Sequence, residues 1–266
     1  MPPSRVPPSR AVADPQSILI TGASSGIGEA LALAYAAPGV TLHISGRNPA
    51  RIAAVAEACR GKGAVAAGRA IDVTDAAAMA AWIADTDAER PLDLIIANAG
   101  ISNSTAGDGD ADVRTRRIFA INVDGVVNTV LPALKVMQAR RCGQIALVAS
   151  VAGFRGLPTS AAYSASKAAI KNWGEALRGE HRDSGIAVNV ICPGWVTSRI
   201  TDANTFSMPL IMPAERAAAV IKRGLAADKA RIVFPWIMYV AAWLLAALPP
   251  AWTDPILVRQ IAARKD

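Results

Sequence analysis

The sequence predicts an α/β fold, a doubly wound parallel sheet with helices on both faces, extended by a hydrophobic helical arm at its C-terminal end. Three observations lead there. From Ser17 onward short β-rich runs alternate with alanine-rich stretches of helical length; a glycine-rich turn separates the first strand from the first helix; and no charge occurs from 232 to 252. Strands alternating with helices of that length build βαβ units, whose neighbouring strands are parallel.

The strand readings are "SILIT" (17–21), "VTLHIS" (40–45), "AVAAGRAI" (64–71), "LDLIIAN" (92–98), "GQIALVAS" (143–150), "IAVNVIC" (186–192) and "RIVF" (231–234). Helical stretches fall at 27–37, 49–60, 76–84 and 113–139, and an apolar helix is expected at 236–248. No internal repeat or long linker interrupts them. The expected organisation is a flexible tail at 1–16, one domain at 17–230, and the last strand with its apolar arm at 231–266. The tail carries prolines and arginines but lacks the apolar centre of a signal peptide.

A chain of 266 residues with 52% hydrophobic content can bury a large core. Its net charge of +7 suits an anionic cofactor or surface, yet the basic residues are scattered and form no block interleaved with aromatics, which speaks against nucleic acid. Cys59, Cys142 and Cys192 lie far apart without a CxxC pair, so neither a disulfide framework nor a zinc site is expected, and a reducing cytoplasm is the default. His43 and His181 are read as satisfied structural histidines.

Two motifs carry chemistry. In "TGASSGIG" the spacing G-x-x-x-G-x-G puts Gly22, Gly26 and Gly28 between a strand and a helix, where backbone can approach a phosphate and the helix start offers free N–H groups. In "YSASK" Tyr163 and Lys167 are four positions apart and share a helix face, so the ammonium is expected to lower the tyrosine pKa toward the range of a general acid/base. Ser150 ends a buried-looking strand, where such sheets build their crevice, and its hydroxyl could hold a substrate carbonyl.

With these motifs in order, the chain resembles the classical short-chain dehydrogenases/reductases (SDR), a Rossmann-like family, over most of 17–198. "TGASSGIG", including Ser24, Ser25 and Ile27, resembles the family's cofactor loop. Asp72 and Val73 resemble its adenine contact, and Asn98, Ala99 and Gly100 its strand-four motif. Asn122, Ser150, Tyr163 and Lys167 match its catalytic tetrad, while Pro193, Gly194 and Val196, with Ser198 just beyond, match the segment that lies against the nicotinamide. The resemblance implies that Tyr163 exchanges a proton with the substrate oxygen while hydride moves to or from the nicotinamide. It further implies that Ser150 orients that oxygen, that Lys167 lowers the tyrosine pKa and holds the ribose, and that Asn122 supports a water linking Lys167 to solvent. No metal is required. A catalytically idle dinucleotide sensor, against which the complete tetrad argues, and a membrane-associated scaffold, suggested only by the C-terminal arm, are the alternatives.

At the end of the second strand, "HISGRN" puts Gly46 where a carboxylate would bind the 2′-hydroxyl of NAD, and Arg47 follows, with Asn48 beside it. An arginine without a carboxylate favours NADP(H), leaving NAD(H) as an alternative because Ser24 and Ser25 supply no basic group.

By the same resemblance, a substrate lid falls at about 198–215, where Phe206, Met208, Leu210, Ile211 and Met212 suggest a small hydrophobic substrate. In the arm, Pro235 and Pro249–Pro250 leave too short a helix to span a membrane. Trp236, Tyr239 and Trp243 fall along one face and are flanked by Lys222, Arg223, Lys229, Arg231, Arg259, Arg264 and Lys265. The arm therefore suits packing on its own domain, a homo-oligomer interface, or peripheral contact through 236–252 with the inner face of a membrane. Since the resemblance implies a short tail that helps form a tetramer and this arm departs from it, a dimer is expected instead.

Overall fold

The computed structural model describes residues 12–203 and 208–262, with side chains to 258. Seven strands, β1 (Ser17–Ile20), β2 (Thr41–Gly46), β3 (Val65–Ala70), β4 (Leu94–Ala97), β5 (Gly143–Val148), β6 (Ile186–Pro193) and β7 (Arg231–Phe234), form one sheet in the order β3, β2, β1, β4, β5, β6, β7. Every pairing is parallel. The strand order reverses between β1 and β4, and the crevice beyond their C-terminal ends is where such sheets hold ligands.

Alternation along β1 shows why these runs are apolar. Ile18 and Ile20 point into one core layer with Leu31, Leu42 and Ile221, whereas Leu19 joins Ile95, Val130 and Ile170 on the other side. A strand covered on both faces has no polar side, so it reads as a continuous hydrophobic run. The layers are closed by α1 (Gly26–Tyr35), α2 (Pro49–Arg60) and α8 (Ala214–Ala226) on the first side, and by α3 (Ala76–Glu89), α5 (Gly125–Arg140) and α6 (Ala161–Glu180) on the second.

Several expectations need correction. The helix expected at 113–139 is α4 (Ala111–Phe119) and α5 separated by a π turn, Ala120–Asp124, which contains the fully buried Asn122. Such one-residue insertions re-aim side chains, often at functional positions. Residues 12–16, counted with the tail, are tied down: Val12 N donates to Gln144 Oε1 (3.2 Å) and Gln16 N to Asp93 Oδ2 (2.7 Å). The rest of the tail, Phe206 of the lid, Arg264, Lys265 and the side chain of Arg259 lie outside the described residues. His43 is buried as expected, but its Nε2 finds no hydrogen-bond partner among the described residues.

Beyond β7 the chain forms α9 (Trp236–Ala247) and α10 (Pro250–Ala262), with a short α7 (Arg199–Asp202) earlier, in the segment expected to form a lid. The prolines at 249–250 end the first helix of the arm as expected, and Pro250 then opens α10, which was not expected, since the first helical residue needs no N–H. At twelve residues α9 is about 18 Å long, well short of a bilayer core. The helical run Ala111–Arg140 is long and apolar enough to cross a membrane, but half of its most apolar stretch is buried inside the protein, as in a core helix.

No residue of α9 is fully buried. Trp236, Ile237, Val240, Trp243 and Leu244 are exposed, Trp236 to 70%. The expected aromatic stripe is split, because Tyr239 turns inward, edge-on to Phe154 at 5.3 Å between ring centroids.

Candidate active site

The glycine turn is held by β4. Thr21 Oγ1 accepts from the amides of Asn98 (3.1 Å) and Ala99 (3.2 Å), while Asn98 Nδ2 donates to the carbonyls of Thr21 and Gly22, both at 3.0 Å. A Cβ on Gly22 would lie 2.7 Å from Ala99 Cα, and one on Gly28 would lie 2.5 Å from Asn98 Nδ2. At these two positions the missing side chain makes room for the protein's own β4 loop. Gly26, at φ +58°, is equally closed, with Ser198 Cβ 2.7 Å from where its Cβ would be.

The turn also fits a phosphate. Ser25 precedes α1 but its side chain makes no cap hydrogen bond, leaving first-turn N–H groups and the positive helix end open. Ser24 and partly buried Ile27 flank that opening, and Ser24 packs on Gly46, whose Cβ would meet its side chain at 3.0 Å. Exposed Arg47 makes no hydrogen bond or ion pair among the described residues. Its neighbour Asn48 is engaged, capping α2 through a 3.0 Å bond from Arg51 N.

Past the end of β3, Asp72 Oδ1 accepts from Thr74 N and Oγ1 (3.0 and 2.9 Å), and buried Val73 packs on Gly125 while its carbonyl accepts from Asn128 Nδ2. At the far side, Gly194 N donates to Phe234 O (2.7 Å), Val196 bridges to Met212, and Ser198 caps α7.

The four residues of the expected tetrad converge at the C-terminal edge of the sheet. Ser150 Oγ donates to Pro193 O (3.3 Å) and accepts from Ala152 N (3.1 Å). Lys167 Nζ donates to Val148 O (2.9 Å) and lies 5.9 Å from the Tyr163 ring centre. Gly100 separates Lys167 from Asn122: a Cβ there would be 3.3 Å from Lys167 Nζ and 3.2 Å from Asn122 Oδ1. Asn122 is locked by reciprocal bonds with the Ile101 backbone, at 2.8 and 2.9 Å.

Ser166 was not singled out from the sequence. It accepts from Asn122 Nδ2 (3.1 Å) and donates to the Tyr163 carbonyl (2.7 Å), joining the π turn to α6. Its only signal was its place inside "YSASK".

The electrostatics overturn one expectation. Burial raises the Tyr163 pKa above its ordinary value, and the neighbouring Ser150 hydroxyl offsets that in part. Lys167 does not lower it here, because its ammonium is directed to Val148 and is itself brought down to about 8 by burial. The site thus presents a protonated phenol at neutral pH.

A doubly wound sheet with a glycine turn at its switch point and a serine, tyrosine and lysine gathered at the strand ends defines an oxidoreductase. The family model for short chain dehydrogenase matches residues 16–207, and the chain belongs to that family. An uncharacterized oxidoreductase of Myxococcus xanthus is 37% identical over 88% of this chain and 93% of its own length. Among solved structures, a short-chain dehydrogenase from Sphingobium yanoikuyae in complex with NADPH has a TM-score of 0.75 at 23% identity, covering 93% of this chain and 94% of that one. An actinorhodin polyketide ketoreductase with NADPH has a TM-score of 0.73 at 26% identity, covering 86% and 99%.

Proposed function

We propose that this chain is an NADP(H)-dependent oxidoreductase acting on the carbonyl or secondary alcohol of a hydrophobic substrate, with Tyr163 as general acid/base. The observation that carries this reading is the grouping of Ser150, Tyr163 and Lys167 beside a glycine turn with an open helix start. When bound, the cofactor supplies or takes up the hydride. The chain's own residues do the rest. Ser150 donates to the substrate oxygen and fixes its direction, and Tyr163, kept protonated by burial, gives that oxygen its proton in reduction. Lys167 holds positive charge beside both and binds ribose hydroxyls, while Asn122 keeps the lysine pocket open to a proton-carrying water.

Among the cofactor contacts, the first turn of α1 would take the pyrophosphate, and Asp72, Val73 and the Asn98–Ala99–Gly100 segment would face the adenosine half. Pro193, Gly194, Val196 and Ser198 would line the nicotinamide end. Unpaired Arg47 next to Gly46 supports the 2′-phosphate, and NADPH in the two structural neighbours is consistent with it. Exposed Leu210 and Ile211, with Met212 beside them, support a hydrophobic substrate entering under the lid.

The reading extends to the assembly: a cytoplasmic homodimer whose exposed α9 face can rest on a membrane without crossing it. Incubation with NADPH and a panel of hydrophobic aldehydes and ketones, followed by cofactor absorbance, tests the activity. Turnover is expected; cofactor binding without turnover on any of them would favour the idle sensor.

A further inference from the structure

The C-terminal arm is fastened to the two turns that carry the site. Where Gly194 lacks a side chain, Met238 Sδ of α9 fills the space, 2.7 Å from the position of a Cβ. The Tyr239 ring stands edge-on to Phe154, at 69° between planes. Arg155 Nη2 donates to Asp254 Oδ1 (2.6 Å) and Thr253 Oγ1 (3.1 Å) of α10. Phe154 and Arg155 directly follow the turn that begins at Ser150, so each arm helix grips one of two consecutive residues there.

Phe154 is held from more than one direction. Lys171 Nζ lies 5.2 Å and the Arg231 guanidinium 5.3 Å from its ring centre. Arg231 in turn is fixed by two bonds to Glu175 Oε1 (2.8 and 2.5 Å) and one to Tyr239 Oη (3.2 Å). Aromatic edge contacts and cations over a ring both favour one ring placement. The Phe154 amide closes the turn on Val151 O (3.2 Å), the Gly153 amide on Ser150 O (3.0 Å), and the Ala152 amide on Ser150 Oγ. The same turn presses on α6, since a Cβ on Gly153 would lie 2.8 Å from the Lys167 carbonyl.

We propose that Phe154 is a positioning residue for Ser150 and that the arm, through Tyr239, acts on the reaction by holding Phe154 in place. This rests on the role given to Ser150 under the proposed function. Phe154 touches no reacting atom; it fixes the turn from which the Ser150 hydroxyl points. The glycine turn and Arg47, which carry the charged cofactor contacts under that reading, lie outside this cluster, so loss of the Tyr239 or Phe154 ring is expected to act on the chemical step far more than on cofactor affinity.

The test uses the full chain as Phe154→Leu, Phe154→Tyr, Tyr239→Leu and the Phe154→Leu/Tyr239→Leu pair. Steady-state kinetics, NADPH affinity by cofactor fluorescence, and amide exchange over 151–155 are measured for each. Loss of either ring should lower kcat about tenfold, as misplacement of a reacting group does, with NADPH Kd held within about twofold and exchange over 151–155 accelerated. Phe154→Tyr should retain wild-type kcat, and the pair should be no worse than its worse single variant, because both act through one contact. Unchanged kcat in Tyr239→Leu, or NADPH affinity falling in step with kcat, would overturn the proposal. Should the wild type turn over none of the carbonyls, the proposed function fails on its own. The exchange experiment still decides the coupling, which unchanged exchange over 151–155 in Tyr239→Leu would refute. Tyr239 sits in a helix with no fully buried residue, so its variant remains informative if Phe154→Leu does not fold.

Discussion

Lys167 Nζ is joined to the carbonyl of Val148 by a 2.9 Å hydrogen bond, which ties the α6 face of the site to the strand that ends just before Ser150. The bond holds the ammonium in a place where burial brings its pKa down to about 8. Below that pH the lysine is charged; above it the charge is lost, while Tyr163 remains a phenol because burial has moved it upward. The reductive kcat/KM, which reports groups of the free enzyme, should therefore be level from pH 6 to near 8 and fall above it. Lys167→Gln should lack the falling limb at much lower activity. A level wild-type profile through pH 9.5 would contradict the assignment.

Arg47 stands at the end of β2 with no partner among the described residues, beside a glycine in place of the carboxylate that NAD recognition uses. Arg47→Ala should lower kcat/KM for NADPH about 10- to 100-fold, the equivalent of one charge-assisted hydrogen bond of about 1.5–3 kcal/mol, and leave NADH nearly unaffected. Gly46→Asp should move the preference the same way, with Ser24 shifting by a few tenths of an ångström to admit the new Cβ. An NADPH/NADH ratio that neither variant changes would remove the case for the 2′-phosphate.

His43 lies in β2 with its Nε2 unpartnered among the described residues, and its pKa is lowered by burial, opposed by Glu89 and assisted by Arg90. A histidine whose folded pKa is below 6.5 is protonated first in the unfolded chain. The stability it contributes is present above that value and is lost as pH falls through the folded pKa. Thermal unfolding at pH 7 and pH 5 should show a larger drop in Tm for the wild type than for His43→Leu. Equal drops would place the acid sensitivity elsewhere.

The exposed α9 face leads to a prediction about assembly. The full chain should sediment as a dimer and float with anionic liposomes, whereas a chain ending at Phe234 should stay in the soluble fraction; Trp236→Ser and Trp243→Ser should weaken flotation without unfolding the domain. Equal solubility of full and shortened chains would exclude the membrane contact, and a monomeric full chain would exclude the dimer.

Much of this architecture was legible because buried parallel strands must be apolar throughout: "SILIT" differs from β1 by one residue, and 49–60 coincides with α2. Side-chain direction was less so. Four-residue spacing puts Tyr163 and Lys167 on one face but reveals neither that the ammonium is drawn to Val148 nor that burial raises the phenol pKa. The π turn is invisible to hydrophobic periodicity, since apolar residues continue on both sides of Asn122. Glycine counting located the turn between β1 and α1 yet missed part of its cause, because Gly22 and Gly28 are needed by Ala99 and Asn98. The prolines at 249–250 signalled a stop, although proline is equally at home opening a helix. Nothing in the sequence marked Phe154 as the partner of Tyr239.

The central claim is that Tyr163 is the proton donor of a hydride-transfer reaction, and the direct test is Tyr163→Phe assayed beside the wild type for NADPH consumption on a hydrophobic ketone and for NADPH binding. Loss of a general acid should lower kcat by about 10²- to 10⁴-fold, while the ring stays in place beside Lys167 and NADPH binds with unchanged affinity. A variant that retains wild-type turnover would contradict the account.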